Sequence, residues 1–488
     1  LAAAASSIRK KSWKSGQKQC KNAWKSGQKR IILPWKNDKT MLKRKIDRFL
    51  RDFFKTSRNA LLISGARQIG KTFSIREYGK EYKHFVEINF VDNPEAAEMF
   101  GKGLSAHDIL LRLSLLTKAE LVKGETLIFF DEVQECPEIV TAIKFLVEEG
   151  SYRYVLSGSL LGVDLKDLRS VPVGYMSVKN MYPLDFEEFI RNVGVGDSVV
   201  ESVRKAWLDR TSVDSFVHAK MMELYRLYLV VGGMPDAVRQ YLETNNLQTV
   251  IRIQRDIINL YKRDISKYDS GNKLYIEEIF NLIPPELNAR NKRFVLKNLN
   301  ENAKFSRLQN SFLWLTDAGV ALPVYNVEEP KVPLLLSRSR NLFKLFQSDV
   351  GLLAAQYAEG IQLRIIEGGN DINYGSVYEN AVAQELTAHG FNTYYYNNKK
   401  RGELDFVVEK QGGVLPIEVK SGKDYAQHRA LNNVLACADY DIPYALVLNN
   451  DNLRVDGRVV YAPVYMTMFL EHDNDAPEFY KIDLTGLG

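Results

Sequence analysis

Apolar residues recur at Leu42, Ile46, Phe49, Leu50 and Phe53, the spacing of one helical face, so the stretch Met41–Phe54 is predicted to be a helix. A short apolar run, Leu61–Ile63, then reads as a buried strand. Strands are predicted at 84–90, 126–131 and 152–156, with helices at 105–122 and 137–149 between them. Strands alternating with helices indicate an α/β fold: a three-layer domain with a parallel sheet and its ligand at the carboxyl ends of the strands. Apolar spacing through Met221, Leu224, Leu227 and Leu229 marks residues 200–265 as helical. Between 274 and 326 the order is helix, helix, the segment Ser306–Val320 and a short strand. Tyr378–Leu386 reads as a helix, and two alternating strands flank a Gln411-Gly-Gly413 turn, the pattern of a hairpin.

The first strand empties into Gly65-Ala-Arg-Gln-Ile-Gly70-Lys71-Thr72, the spacing of a phosphate-binding P-loop. Gly65 and Gly70 permit backbone conformations closed to other residues, so that successive amides can turn inward around an anion. Lys71 would reach the β- and γ-phosphates and Thr72 would offer its hydroxyl to Mg²⁺. The helix beginning there points its positive end at the same place. The nucleotide-binding set is therefore Gly65, Ala66, Arg67, Gln68, Ile69, Gly70, Lys71, Thr72 and Phe73, a cradle for ATP or GTP. In Glu125–Glu132 an apolar strand ends in two acids. There Asp131 would hold Mg²⁺ and Glu132 would polarise the attacking water, unless the pair only caps a strand end or starts a helix.

Ser157 ends the next strand, where a hydroxyl could bond a γ-phosphate oxygen or the lytic water, or simply terminate the strand. Arg169 lies in the loop beyond and is either an arginine finger or a surface arginine. Arg67, inside the loop itself, is a closer candidate for a phosphate or ribose contact.

Length suggests about three domains, and 45% hydrophobic with 26% charged residues is ordinary for a soluble globular protein. No apolar run is long enough to span a membrane. Cys20, Cys136 and Cys437 are scattered, which favours a reducing cytoplasm over a disulfide framework or a zinc site. The net charge of +6 is misleading, because residues 1–40 carry eleven Lys or Arg against one acid. The remaining chain holds 55 basic and 59 acidic residues, so global charge gives no argument for nucleic acid. The basic segment repeats Trp-Lys-Ser-Gly-Gln-Lys at Trp13 and Trp24 without apolar periodicity. It is expected to be a disordered leader or sequence translated from upstream of the true start, with a polyanion-binding tail as the alternative.

The hairpin carries a second constellation. A turn symmetric about Gln411 and Gly412 places Asp405 opposite Glu418 and Glu403 opposite Lys420, with Leu404, Phe406, Ile417 and Val419 on the core-facing side. Like charges directly opposed, with Cβ atoms about 5 Å apart, are destabilising, and a divalent cation would compensate them. Alternatively, Lys420 is only the salt partner of Glu403, with Asp405 and Glu418 exposed to water at a sheet edge.

Together Gly65–Thr72, Asp131-Glu132, Ser157-Gly-Ser159, Tyr182–Phe189, Tyr228–Asp236 and Tyr261-Lys-Arg-Asp264 resemble the AAA-type ATPases of bacteria and archaea that carry a C-terminal domain of unknown function. The chain departs from that family's Gly-Arg pair, reading Arg169-Ser-Val-Pro-Val-Gly174. The resemblance implies ATP rather than GTP, and a winged helix at 274–326; the basic run Arg290, Lys292, Arg293, Lys297, Lys304 and Arg307 there would either meet DNA, the helix around Arg307 approaching a groove, or form a solvated basic face. Glu379, Asp405, Glu418 and Lys420 resemble a restriction-endonuclease-like core, in which the acids hold Mg²⁺ and the lysine steadies the attacking hydroxide. Four regions are expected: a leader at 1–40, an AAA-type domain at 41–199, a helical and winged-helix-like region at 200–335, and a restriction-endonuclease-like domain at 336–488. Expected partners are ATP, DNA and a second copy of the chain, and no membrane. The function implied is an Mg-dependent ATPase whose nucleotide state is coupled to a nuclease-like, DNA-binding module. The alternative is a nucleotide-regulated switch whose inactive nuclease-like domain docks nucleic acid or a partner protein.

Overall fold

The computed structural model describes residues 41–472 apart from 102–103, 118–119, 159–173, 269–272, 290, 300–304, 369–374 and 423. The basic segment 1–40, Ser159 and Arg169 therefore lie outside the described residues. The described residues from Leu42 onward form one compact unit.

Five strands build the first sheet: β1 (Ala60–Ser64), β2 (His84–Asn89), β3 (Thr126–Asp131), β4 (Arg153–Gly158) and β5 (Met176–Asn180). Their order is β2-β3-β4-β1-β5 and every pairing is parallel. β1 and β3 are buried along their whole length, which is why they read as unbroken apolar runs. Phe90, Phe130 and Tyr154 stack across one face of this sheet. The helix predicted from Met41 begins at Lys45, because the Asp47 carboxylate accepts from the Arg44 amide at 3.0 Å and caps it there. Its buried residues are Ile46, Leu50 and Phe54, so the apolar face runs to Phe54 and not to Phe53.

A helical region follows, with its longest members at Ser215–Val231 and Leu247–Tyr268. The second sheet contains β6 (Ala321–Val327), β7 (Arg338–Gln347), β8 (Tyr394–Asn398), β9 (Gly402–Lys410), β10 (Gly413–Val419), β11 (Ala445–Asn449), β12 (Arg454–Asp456) and β13 (Val459–Pro463). Its order is β12-β13-β11-β10-β9-β8-β6-β7. β6 bonds β7 on one side and β8 on the other, so the strand after Ser306–Val320 is an interior strand of this sheet and not a separate wing. The boundary expected at 335/336 accordingly falls between two paired strands.

The hairpin register is the expected one. Gly413 pairs with Lys410 and Ile417 with Phe406, which continues to Asp405 opposite Glu418. Gln411 and Gly412 both have positive φ, 53° and 71°, as a two-residue turn matched to strand twist requires. β9 and β10 are interior strands, and Glu418 is 3% exposed. The expectation of carboxylates open to water at a sheet edge does not hold.

Candidate nucleotide site and a second charged cluster

β1 delivers the loop at its carboxyl end. Gly65 has φ +147°, and a Cβ there would lie 2.3 Å from the Met181 carbonyl oxygen, so the loop rests on the chain leaving β5. Gly70, at φ +93°, precedes the helix Lys71–Gly79. Lys71 is buried, and its ammonium donates to Gly65 O at 2.9 Å and Ala66 O at 2.8 Å. Burial brings its pKa down to about 8 against the pull of Glu132 and Asp131. Ile69 is fully buried beneath the loop, while Phe73 is exposed.

The carboxylate of Asp131 is the meeting point of three strand tips. It accepts from Thr72 Oγ1 at 3.1 Å, from Asn89 Nδ2 at 3.1 Å and from the Ser157 hydroxyl. Burial nevertheless holds its pKa above the usual carboxylate range. Ser157, expected to meet a γ-phosphate oxygen or the lytic water, directs its hydroxyl at Asp131. Glu132 sits at φ +57° beside it, and Gln134 Nε2 donates to its Oε2 at 2.5 Å. A hydroxyl and a carboxylate adjoining at a strand tip supply the hard oxygen donors that Mg²⁺ prefers, so these residues fit that ion.

Distant segments hold the loop. Arg67 Nη1 lies 2.7 Å from Asp264 Oδ1, and Tyr261 Oη donates to Arg67 O at 3.1 Å. Arg67, expected to contact phosphate or ribose, is ion-paired to Asp264 of the Tyr261–Asp264 motif. Arg44 donates to Ile69 O at 2.9 Å, to Tyr182 O at 2.7 Å and to Glu188 Oε1 at 3.1 Å. A Cβ on Gly319 would come within 3.0 Å of the Ala66 amide nitrogen.

Residues 57–190 match the model of an AAA domain, 222–362 that of a domain of unknown function (DUF8612) and 374–466 that of another (DUF4143). The chain carries an AAA domain followed by a C-terminal DUF4143 domain. Among solved structures it is similar to the Walker-type ATPase PABY2304 of Pyrococcus abyssi, at 13% identity and TM-score 0.38, over 65% of this chain and 96% of that one. It is also similar to the ORC1 protein of Aeropyrum pernix in complex with DNA, at 14% identity and TM-score 0.26, over 69% and 95%. A third is the RuvB Holliday junction branch migration motor of Thermotoga maritima, at 15% identity and TM-score 0.26, over 60% and 93%. No curated protein matches the chain. Among the described residues no helix is long and apolar enough to cross a membrane.

The DUF4143 domain brings Glu379, Asp405, Glu418 and Lys420 together, and the region 222–362 adds two cations, Lys292 and Lys344. Lys420 Nζ lies 2.8 Å from Glu418 Oε2, so its partner is Glu418 and not the expected Glu403. Glu403 instead lies 2.8 Å from Lys344 Nζ, on β7. Lys292 pairs with Glu379 Oε1. Burial pushes the Glu418 carboxyl up to about 8 and raises Glu379 as well. Burial acts on Asp405 in the same sense, but Lys344, Lys292 and Lys420 together hold it below its usual range. Of the basic run expected to meet DNA, Lys292 is occupied in this cluster, Arg290, Lys304 and the Arg307 side chain lie outside the described residues, and Lys297 is exposed.

The AAA and DUF4143 domains meet through the Tyr182–Phe189 motif. Asp185 caps the helix Phe186–Val193 by accepting from Glu188 N at 2.8 Å, and Lys45 Nζ donates to it at 2.7 Å. His389 Nε2 lies 3.5 Å from the same carboxylate, and Phe186 N donates to Glu385 Oε1 at 2.5 Å. Sequence reasoning missed Asn89, Gln134, Arg44 and Lys344. Two had signals: Asn89 ends the strand beside the acid-tipped one, and Lys344 is a lone charge inside Leu342–Phe346.

Proposed function

We propose that this chain binds ATP with Mg²⁺ and hydrolyses it. The observation that carries the reading is the contact of Thr72 with Asp131 at 3.1 Å beside a glycine-shaped loop. Thr72 and Asp131 would hold Mg²⁺, which when bound neutralises charge on the β- and γ-phosphates. Lys71 leaves the carbonyls of Gly65 and Ala66 to reach the triphosphate, and the first amides of the helix Lys71–Gly79 face it. Glu132 takes a proton from the attacking water on Oε1, while Gln134 orients its Oε2. Ser157 and Asn89 keep the Asp131 carboxylate in place.

Connectivity supports coupling to the DUF4143 domain. Arg44 bonds the phosphate loop at Ile69 and the buried Glu188, whose helix is capped by Asp185 and contacted by Glu385 and His389. Movement of the loop on nucleotide binding is thereby passed along buried polar contacts, the output being a changed docking surface for nucleic acid or a partner protein.

Calorimetry with Mg-ATP and a phosphate-release assay test the proposal. Lys71→Ala is expected to abolish binding and turnover together. Turnover retained in that variant rules out this site as the ATPase.

A further inference from the structure

The acids Glu379, Asp405 and Glu418 resemble an Mg²⁺-binding set, yet the residues gathered around them from the regions 222–362 and 374–466 do not fit that ion. Lys344 comes from β7, is fully buried, and points its ammonium into the cluster. Its Nζ is 2.8 Å from Glu403 Oε1, 3.9 Å from Glu379 Oε2 and 4.0 Å from Asp405 Oδ1. Glu379 Oε2 receives no hydrogen bond, and the group it faces is that ammonium. Three further carboxylate oxygens are engaged: Glu379 Oε1 by Lys292, Glu418 Oε2 by Lys420, and Asp405 Oδ2 by the Val419 amide at 2.9 Å.

Three ammonium groups therefore stand against four carboxylates before any metal is considered. Mg²⁺ demands near-octahedral oxygen ligands at about 2.0–2.1 Å. Among the described residues no three carboxylate, imidazole or thiol groups converge on a point that could hold a metal ion. A dication entering among these acids would also meet the fully buried Lys344 ammonium, and in a poorly solvated site that repulsion is weakly screened.

We propose that Lys344 is the resident cation of this cluster. Its ammonium stands where a divalent ion would otherwise balance Glu379, Glu403 and Asp405, so the domain takes up no divalent cation there and performs no metal-assisted phosphodiester cleavage. The cluster serves as an ionic pin joining β7, β9, β10, the helix Gly375–Ala388 and the segment carrying Lys292.

The test uses the full chain carrying Lys71→Ala, without nucleotide, so that its outcome is separate from that of the ATP proposal. Mn²⁺ is titrated and followed by electron paramagnetic resonance. No uptake that depends on Asp405 is expected in this parent, and no nicking of plasmid DNA with Mg²⁺ or Mn²⁺. Lys344→Met, added to the parent, is expected to gain one Mn²⁺ site that Asp405→Asn removes. Lys344→Arg, which keeps the charge, is expected to remain folded by circular dichroism and to exclude Mn²⁺. Mn²⁺ bound by the parent and lost on Asp405→Asn overturns the proposal, whether or not Lys344→Met folds. A folded Lys344→Met chain that still takes up no Mn²⁺ overturns the assignment to Lys344.

Discussion

Asp264 lies 2.7 Å from Arg67, binding a residue of the phosphate loop to one 197 positions further along the chain. The loop is thus held from outside the AAA domain. Arg67→Ala and Asp264→Ala are each expected to weaken Mg-ATP binding by a similar factor, with the double variant little worse than either. The coupling in such a cycle should be on the order of 1 kcal/mol, given a half-exposed guanidinium. Calorimetry on the four proteins decides it, and additive losses would mean that Arg67 contacts nucleotide directly.

Glu132 is the candidate base. Glu132→Gln is expected to leave Mg-ATP affinity within about twofold while lowering turnover by about 100-fold or more, the usual contribution of a positioned base. Gln134→Ala, which removes only the group orienting that carboxylate, should lower kcat less and leave KM unchanged. A Glu132→Gln protein turning over at the parental rate removes Glu132 from the mechanism.

Gly319 has φ +68°, and a side chain there would press on the Ala66 amide from 3.0 Å. Gly319→Ala adds left-handed strain of about 1 kcal/mol and displaces the amides lining the loop. We expect a modest fall in melting temperature with a disproportionate loss of nucleotide affinity. Equal binding by the two proteins would show that the contact does not shape the loop.

Asp349 is fully buried, and although Gly233 N and Leu352 N donate to it at 2.6 and 3.0 Å, burial raises its pKa from 3.8 to about 6. A carboxyl that binds its proton more tightly when folded makes stability fall as pH rises from about 4 to about 6 and adds nothing further above that window. The full effect is up to about 3 kcal/mol. Urea denaturation at several pH values should show this slope, flattened in Asp349→Asn, whose absolute stability should be lower because one amide acceptor becomes a donor. A parental slope of opposite sign in that window, unchanged by the substitution, would contradict the assignment.

The phosphate loop and the acid pair at the tip of β3 were legible because each is a run of neighbouring residues whose types dictate backbone shape: glycines where φ is positive, apolar residues where a strand is buried on both faces. The hairpin register was legible for the same reason, since a glycine-containing turn and a period of two leave one pairing that buries Leu404, Phe406, Ile417 and Val419. Partners across the fold were not legible. Lys420 faces Glu418 and Lys344 faces Glu403, Arg67 meets Asp264, and β6 joins the C-terminal sheet, because strand order and helix packing chose those neighbours. Local pattern encodes conformation and the face a residue presents. Which opposite charge fills that face depends on segments brought together only when the chain closes, and there tertiary packing decided whether an acid cluster meets a metal or a lysine.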